Sequence, residues 1–170
     1  MDIYKAVAGR YSCRSYKNTP IEHDKLNRVL DAARLAPSAK NLQDWRFVVV
    51  RDAQTRNRLI EAANNQAFVG QAPVVIVACS NSDYVMRCGQ PIAPIDVAIA
   101  LEHIALAATA EGLATCWIGS FFPDKVRAIL GIPENIQIIE LMPIGYPADK
   151  CPQKKRDDLD AIVTYDKWAF

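Results

Sequence analysis

The chain has 170 residues, 51% of them hydrophobic and 23% charged, which suits a single domain over residues 1–170 with a substantial core. A formal net charge of +1 excludes the broad basic field of a nucleic-acid or membrane-surface binder, so basic clusters read as local sites. The five cysteines, Cys13, Cys79, Cys88, Cys116 and Cys151, form no C-x-x-C pair, which excludes thioredoxin-like and zinc-knuckle motifs; with no signal-peptide pattern, reduced thiols in a cytoplasmic setting are expected.

In chain order, helices are expected near residues 2–8 and 23–35, the second carried by Leu26, Val29, Leu30 and Ala33 at helical spacing. Pro37 stops that pattern, and the β-branched run Phe47 to Val50 marks a strand near 46–51. Between them, Ala36-Pro37-Ser38-Ala39-Lys40-Asn41-Leu42-Gln43-Asp44-Trp45 places compact hydrogen-bonding side chains on a connection anchored at both ends. It reads as a binding loop or as plain helix-terminal turn chemistry. A helix near 54–64 and a strand near 74–79 follow, with Cys79 as a packing residue. Ile95 to Ala110 is the longest apolar segment, punctuated by Asp96, Glu102 and His103. Because about 20 predominantly apolar residues are needed to cross a bilayer, it is expected to be a buried central helix closed by Gly112, with no membrane span in the chain.

A strand near 114–119 with Cys116 packed in it, a helix near 123–130 and a strand near 136–145 complete an α+β order around one sheet. The connection from Asn81 to Pro94 and the tail after Pro147 carry turn formers and charge without periodicity. The tail ends in Ile162, Val163, Tyr165, Trp168 and Phe170, more large apolar groups than a solvated terminus favours. It docks either on its own core or on a partner.

Two basic clusters stand at opposite ends of the chain. Arg10, Ser12 and Arg14, in Arg10-Tyr11-Ser12-Cys13-Arg14, offer guanidinium forks and a hydroxyl that suit a phosphate, or equally a salt-bridged surface. Lys154, Lys155 and Arg156 read as an anion site or a solvated charge run. Asn64, Asn65 and Gln66 serve a site or cap a helix end. His103 reads as a satisfied core histidine and His23 as a surface one, while Trp45, Trp117 and Trp168 read as core or interface aromatics. There is no Gly-x-Ser-x-Gly, no paired-His ligand motif and no Gly-x-Gly-x-x-Gly, so acyl transfer, metal catalysis and a dinucleotide fingerprint lack support.

Four segments in order resemble the nitroreductase family of flavoproteins in its short form: Arg10 to Arg14, Ala36 to Trp45, Gly112-Leu113-Ala114-Thr115-Cys116-Trp117-Ile118-Gly119, and Pro143-Ile144-Gly145-Tyr146-Pro147 followed by Lys154 and Arg156. The resemblance implies a mainly antiparallel sheet surrounded by helices and a homodimer whose flavin sites lie at the subunit interface, with the C-terminal tail reaching the partner. It implies FMN as cofactor, held by Arg10, Tyr11, Ser12 and Arg14 with Lys154 and Arg156 at the phosphate and pyrimidine edge, and by Pro37, Ser38, Ala39 and Asn41 from the other subunit. Asn64, or its neighbours Asn65 and Gln66, matches the family's amide toward the ring, and Ile118 and Gly119 bring backbone beside it. Asp44 stands where many relatives have proline, adding a negative charge near the expected flavin or substrate.

With no catalytic side chain or metal required, the implied activity is hydride transfer from NADH or NADPH through FMN to small conjugated acceptors such as nitroaromatics, quinones or activated alkenes. The short connection before Ile95 leaves little sequence for a substrate lid, which favours broad acceptor use. The alternatives are a flavin-binding redox-sensing module without turnover, a specialised reaction such as dehalogenation or flavin fragmentation, and a thiol-based protein using Cys13 or Cys88 in exposed loops.

Overall fold

In the computed structural model, which describes residues 2–170, strands β1 (Trp45–Val50), β2 (Val74–Ser80), β3 (Ala114–Thr115) and β4 (Gln137–Gly145) form one antiparallel sheet in the spatial order β1-β2-β4-β3. Six helices surround it: α1 (Ile3–Gly9), α2 (His23–Arg34), α3 (Ala53–Ala62), α4 (Phe68–Gln71), α5 (Ile92–Ala110) and α6 (Pro123–Leu130). The α+β class and the antiparallel sheet agree with the expectation.

Every residue of β2 is buried because both faces of the sheet are covered. Side chains alternate along a strand, so Val74, Ile76 and Ala78 meet α2 and α5 through Leu26, Val29, Val97, Leu101 and Ile104. Val75, Val77 and Cys79 face the other way, toward Leu59, Val69 and Val126 of α3, α4 and α6. Each fully buried leucine or valine contributes about 1.5–3 kcal/mol relative to exposure, and this double layer fixes the register Val48–Val77–Leu141. A proline at Val77 would remove a ladder donor from the strand with partners on both sides.

Local chemistry sets the helix ends. Asp2 caps α1 by accepting from the Tyr4 N–H at 3.1 Å, Asp52 caps α3 by accepting from the Thr55 N–H at 2.7 Å, and Pro123 opens α6. Gly112, at φ +75°, follows the last turn of α5 as expected.

Three boundaries differ from the sequence reading. The strand expected over 114–119 is only two residues long, followed by a single bridge between Ile118 and Leu141. The central helix starts at Ile92, directly after Pro91, so the preceding loop is shorter still. The four-residue α4 carries too few residues to show a period. Although α5 is long and apolar enough to span a bilayer, it packs on α1, α2 and the sheet. The tail does not dock on its own core: Leu159, Ile162, Tyr165, Trp168 and Phe170 are all exposed.

Candidate functional site

The N-terminal basic segment is laid along the short edge strand. Ser12 bridges Thr115 in parallel and the Cys13 N–H donates to the Thr115 carbonyl at 2.9 Å, so Arg10 to Arg14 extend the sheet beyond β3. Cys13 then points inward and Ser12 and Arg14 outward, the period of a strand. The Cys13 thiol is fully buried, donates to the Ser15 carbonyl at 3.1 Å and is pushed to higher pKa first by that burial. This corrects its expected exposure and removes it as a reactive thiol. Tyr11 ties the segment to the base of the tail: its hydroxyl donates to Asp149 Oδ1 at 3.0 Å, and burial is the main cause of its raised pKa.

Arg10 follows the last turn of α1, and its Nε lies 3.3 Å from Glu102 Oε1 on α5. The Lys154 ammonium donates to the Ala8 carbonyl, which brings the tail's basic cluster to the end of the same helix. Arg156 is not gathered there; its guanidinium donates to the Lys155 carbonyl at 2.7 Å. Ser12 and Arg14 flank the buried Cys116, whose thiol is pushed up by burial and drawn partly back by the Arg14 charge and the Ser12 hydroxyl.

Next to this edge runs Ile118–Ser120. The Ile118 N–H donates to the Leu141 carbonyl at 2.9 Å, so it is not available to a ligand. Gly119 is exposed and has no side chain in the way: a Cβ there would lie 3.8 Å from both Glu140 carboxyl oxygens and meet nothing closer. The amides converge on the same turn, Asn64 Nδ2 donating to Ser120 Oγ at 3.3 Å and Gln66 Nε2 to the Ser120 carbonyl at 3.2 Å. Asn64 and Asn65, at φ 55° and 59°, form the left-handed turn that ends α3.

The loop after α2 is held differently. Ser38 Oγ accepts from the Gln43 N–H at 3.0 Å, and the Ala39 N–H donates to the Asp96 carboxylate at 3.0 and 3.2 Å. Lys40, Asn41 and Gln43 are left-handed, at φ 51°, 55° and 50°, which leaves Pro37 and Asn41 exposed on the outer side. Asp44 turns inward: it is buried and accepts from the Ser80 hydroxyl at the end of β2.

Two functional candidates escaped the sequence reading. Asp96 had served only to argue against a membrane span, and Glu140 lay inside an expected strand. Both are carboxylates in otherwise apolar runs, a readable signal of an inward polar role. Burial raises the pKa of each, with the Ile118 backbone opposing at Glu140.

Arg10 meets α5 at Glu102 and the loop meets it at Asp96, six positions apart, which is about 9 Å along the axis and roughly 120° around it. The described residues contain no hydrogen bond or ion pair joining the two halves. The residues suit FMN in kind: an exposed guanidinium–hydroxyl edge for a phosphate, beside an uncovered glycine backbone and convergent amides for a planar polar ring.

The sequence matches the model of the Nitroreductase family over residues 7–69 and 60–146. It is 35% identical to a Thermus thermophilus protein called NADH dehydrogenase, over 97% of this chain and 96% of that one. A Bacillus subtilis protein called FMN reductase [NAD(P)H] is 26% identical over 95% of this chain and 72% of its own length. Among solved structures, a nitroreductase family protein from Clostridium difficile superimposes with a TM-score of 0.90 at 33% identity, covering 99% of this chain and all of that one.

Proposed function

This chain belongs to the nitroreductase family, and on that premise we propose that it is an FMN-dependent oxidoreductase that takes hydride from NADH or NADPH and reduces small conjugated acceptors such as nitroaromatics, quinones or activated alkenes. The observation that carries this reading is the bridging of Ser12, between Arg10 and Arg14, to Thr115 of β3, from which the chain leads on to the uncovered Gly119 backbone.

When bound, FMN would supply the hydride acceptor and donor. The chain's own residues would do the holding. Arg10 and Arg14 would grip the phosphate with Ser12 donating a third hydrogen bond, while Glu102 keeps the Arg10 fork oriented. Lys154 would add positive charge from the end of α1. Asn64 and the Gly119 N–H, which makes no intrachain bond among the described residues, would face the polar edge of the ring. Tyr11 serves the site through its tether to Asp149, which fixes where the tail departs.

Pro37, Ser38, Ala39 and Asn41 would complete the site of a second subunit in a homodimer. Support comes from the separation of the two halves around α5 and from the exposed apolar tail, which matches an apolar groove between Ile3, Ala32, Leu35, His103 and Leu106. A cytoplasmic setting belongs to this reading.

An absorption spectrum of the purified protein tests it. An oxidised flavin band that bleaches with NADH or NADPH and returns on adding a quinone is the expected result. A band that never bleaches would favour a flavin-binding sensor, and no band after incubation with FMN would overturn the assignment.

A further inference from the structure

A second basic site lies away from the residues assigned to the flavin. Arg56, in the first turn of α3, reaches back to the end of the sheet, where its Nη1 donates to the Arg51 carbonyl just beyond β1 at 2.6 Å and to the Pro73 carbonyl just before β2 at 2.9 Å. That single nitrogen joins the two strands. The other edge of the guanidinium is idle: Nε is buried without a partner, and Nη2 makes no hydrogen bond among the described residues. Nε and Nη2 form the edge on which arginine grips an oxyanion, and an oxyanion seated on Nη2 would also be drawn by the uncompensated Nε–H beside it.

Arg56 borders a cavity of about 200 Å³ that is also lined by Asn18, Ile21, Arg51 and Pro73. Neither the Arg51 guanidinium nor the Asn18 amide makes a hydrogen bond or ion pair among the described residues, so two cations and an amide share one space without a protein acceptor. The acid whose charge acts on Arg56 is Asp52, and its Oδ2 is already held by the Thr55 N–H and hydroxyl, each at 2.7 Å. Burial works against the Arg56 charge. An anion in the cavity would offset that cost, because a buried charge is stable only when it is paired. The volume lies below the roughly 300–1,000 Å³ of pockets that enclose drug-sized ligands, so it suits a small ion or a single group and not a dinucleotide. A phosphate offers more acceptor oxygens than a carboxylate to donors arriving from three side chains.

We propose that Asn18, Arg51 and Arg56 form a second anion site, which takes a phosphate group, free or carried by a small molecule, and ties the connection before α2 to the ends of β1 and β2. The site does not rest on the flavin reading. Across the sheet, β1 and β3 stand three strand spacings apart, about 14 Å, so the cavity and the Arg10–Arg14 segment along β3 are separate places.

Inorganic phosphate titrated into the isotope-labelled protein, with chloride balancing the ionic strength, tests this by NMR. The Arg56 Nε–H signal, identified by its loss in Arg56→Lys, and the backbone amides of Asn18 and Arg51 are expected to shift together and to saturate. Arg51 is exposed, so Arg51→Ala leaves the fold intact and carries the test even if the Arg56 variant fails to fold. It should weaken phosphate binding at these signals by at least about tenfold, the scale of one hydrogen bond to a charged group. Arg10→Ala, at a distant position, should change it by less than about twofold. Phosphate held by the flavin-binding residues would instead move the signals of Ser12 and Arg14. Glycerol phosphate separates the two sources: tighter binding of the ester assigns a phosphorylated small molecule, and tighter binding of inorganic phosphate assigns the free ion. Shifts no larger than those in chloride alone, acetate bound as tightly as phosphate, or Arg51→Ala binding as the wild type does would each overturn the site.

Discussion

The body of the chain and its last two dozen residues treat apolar side chains in opposite ways. Along β2 all the apolar positions, and along α5 most of them, are covered by the chain itself, whereas in the tail Trp168 remains 81% exposed and stacks edge-on only with Phe170, at 5.0 Å between ring centres. The body's hydrophobic pattern is helical in α2, which offers one face to a neighbour, and continuous in β2, whose two faces are both covered. The tail has none. It is tethered at its base by Tyr11 and Lys154 and otherwise presents its large groups to solvent. What separates the two regions is thus the cover that distant parts of the chain supply to the body and do not supply to the tail.

The largest expected effect lies in the body. Leu101→Ala, at the centre of α5, should destabilise the fold by about 2–5 kcal/mol through the cavity it leaves, measured as a lower urea midpoint. A loss no larger than that of a surface substitution would break the contrast from the body's side. The seam between body and tail comes next. Arg10→Ala should weaken FMN binding by about 1.5–3 kcal/mol, the range for a hydrogen bond to a charged group, and riboflavin binding much less. Equal losses for both ligands would mean that Arg10 acts through folding.

In the tail, the double substitution Trp168→Ala with Phe170→Ala should leave chemical unfolding of the isolated subunit within about 0.5 kcal/mol, as for surface changes. Sedimentation should show self-association weakened by at least about tenfold, or about 1.4 kcal/mol. The reverse outcome, a less stable subunit with unchanged association, would place the tail on its own core. The smallest effect concerns Glu140, a half-buried carboxyl among apolar neighbours on β4. Because burial raises its folded-state pKa, the wild type loses stability as pH rises through that value. Glu140→Gln should be the more stable protein at pH 8, with the gain shrinking as pH falls toward the ordinary range of a glutamate. A gain that grew in acid would show Glu140 to be stabilised as the anion.

Much of this arrangement was legible in the sequence because it depends on local pattern. The amphipathic spacing of Leu26, Val29 and Ala33, the run Phe47 to Val50 and Gly112 after α5 each mark an element by chemistry within a few residues. What escaped depends on partners distant in the chain. The inward turn of Asp44 needs Ser80, 36 positions away, and the burial of Cys13 needs the edge strand at Thr115. The shortness of β3 follows from its partner strand: the Cys116 N–H donates to the Pro143 carbonyl at 3.3 Å, and Pro143 has no N–H to return. For the site, residue types pointed to Arg10, Ser12 and Arg14, but neither the Arg10–Glu102 pair nor the different fates of Lys154 and Arg156 could be read from composition.

The complete burial of β2 also bears on the order in which the chain is made. Its first neighbour, β1, precedes it, but its second, β4, begins only at Gln137, after residues 81 to 136 have been synthesised. At about 5–20 residues per second that interval is roughly 3–11 s. Throughout it, the uncharged, proline-free run Val74-Val75-Ile76-Val77-Ala78-Cys79-Ser80 has one open edge, the composition from which intermolecular β-stacks grow. The strand that most secures the finished molecule is thus its most aggregation-prone segment on the ribosome, and slowing synthesis between Asn81 and Ile136 would lower the soluble yield more than slowing it anywhere after Gly145.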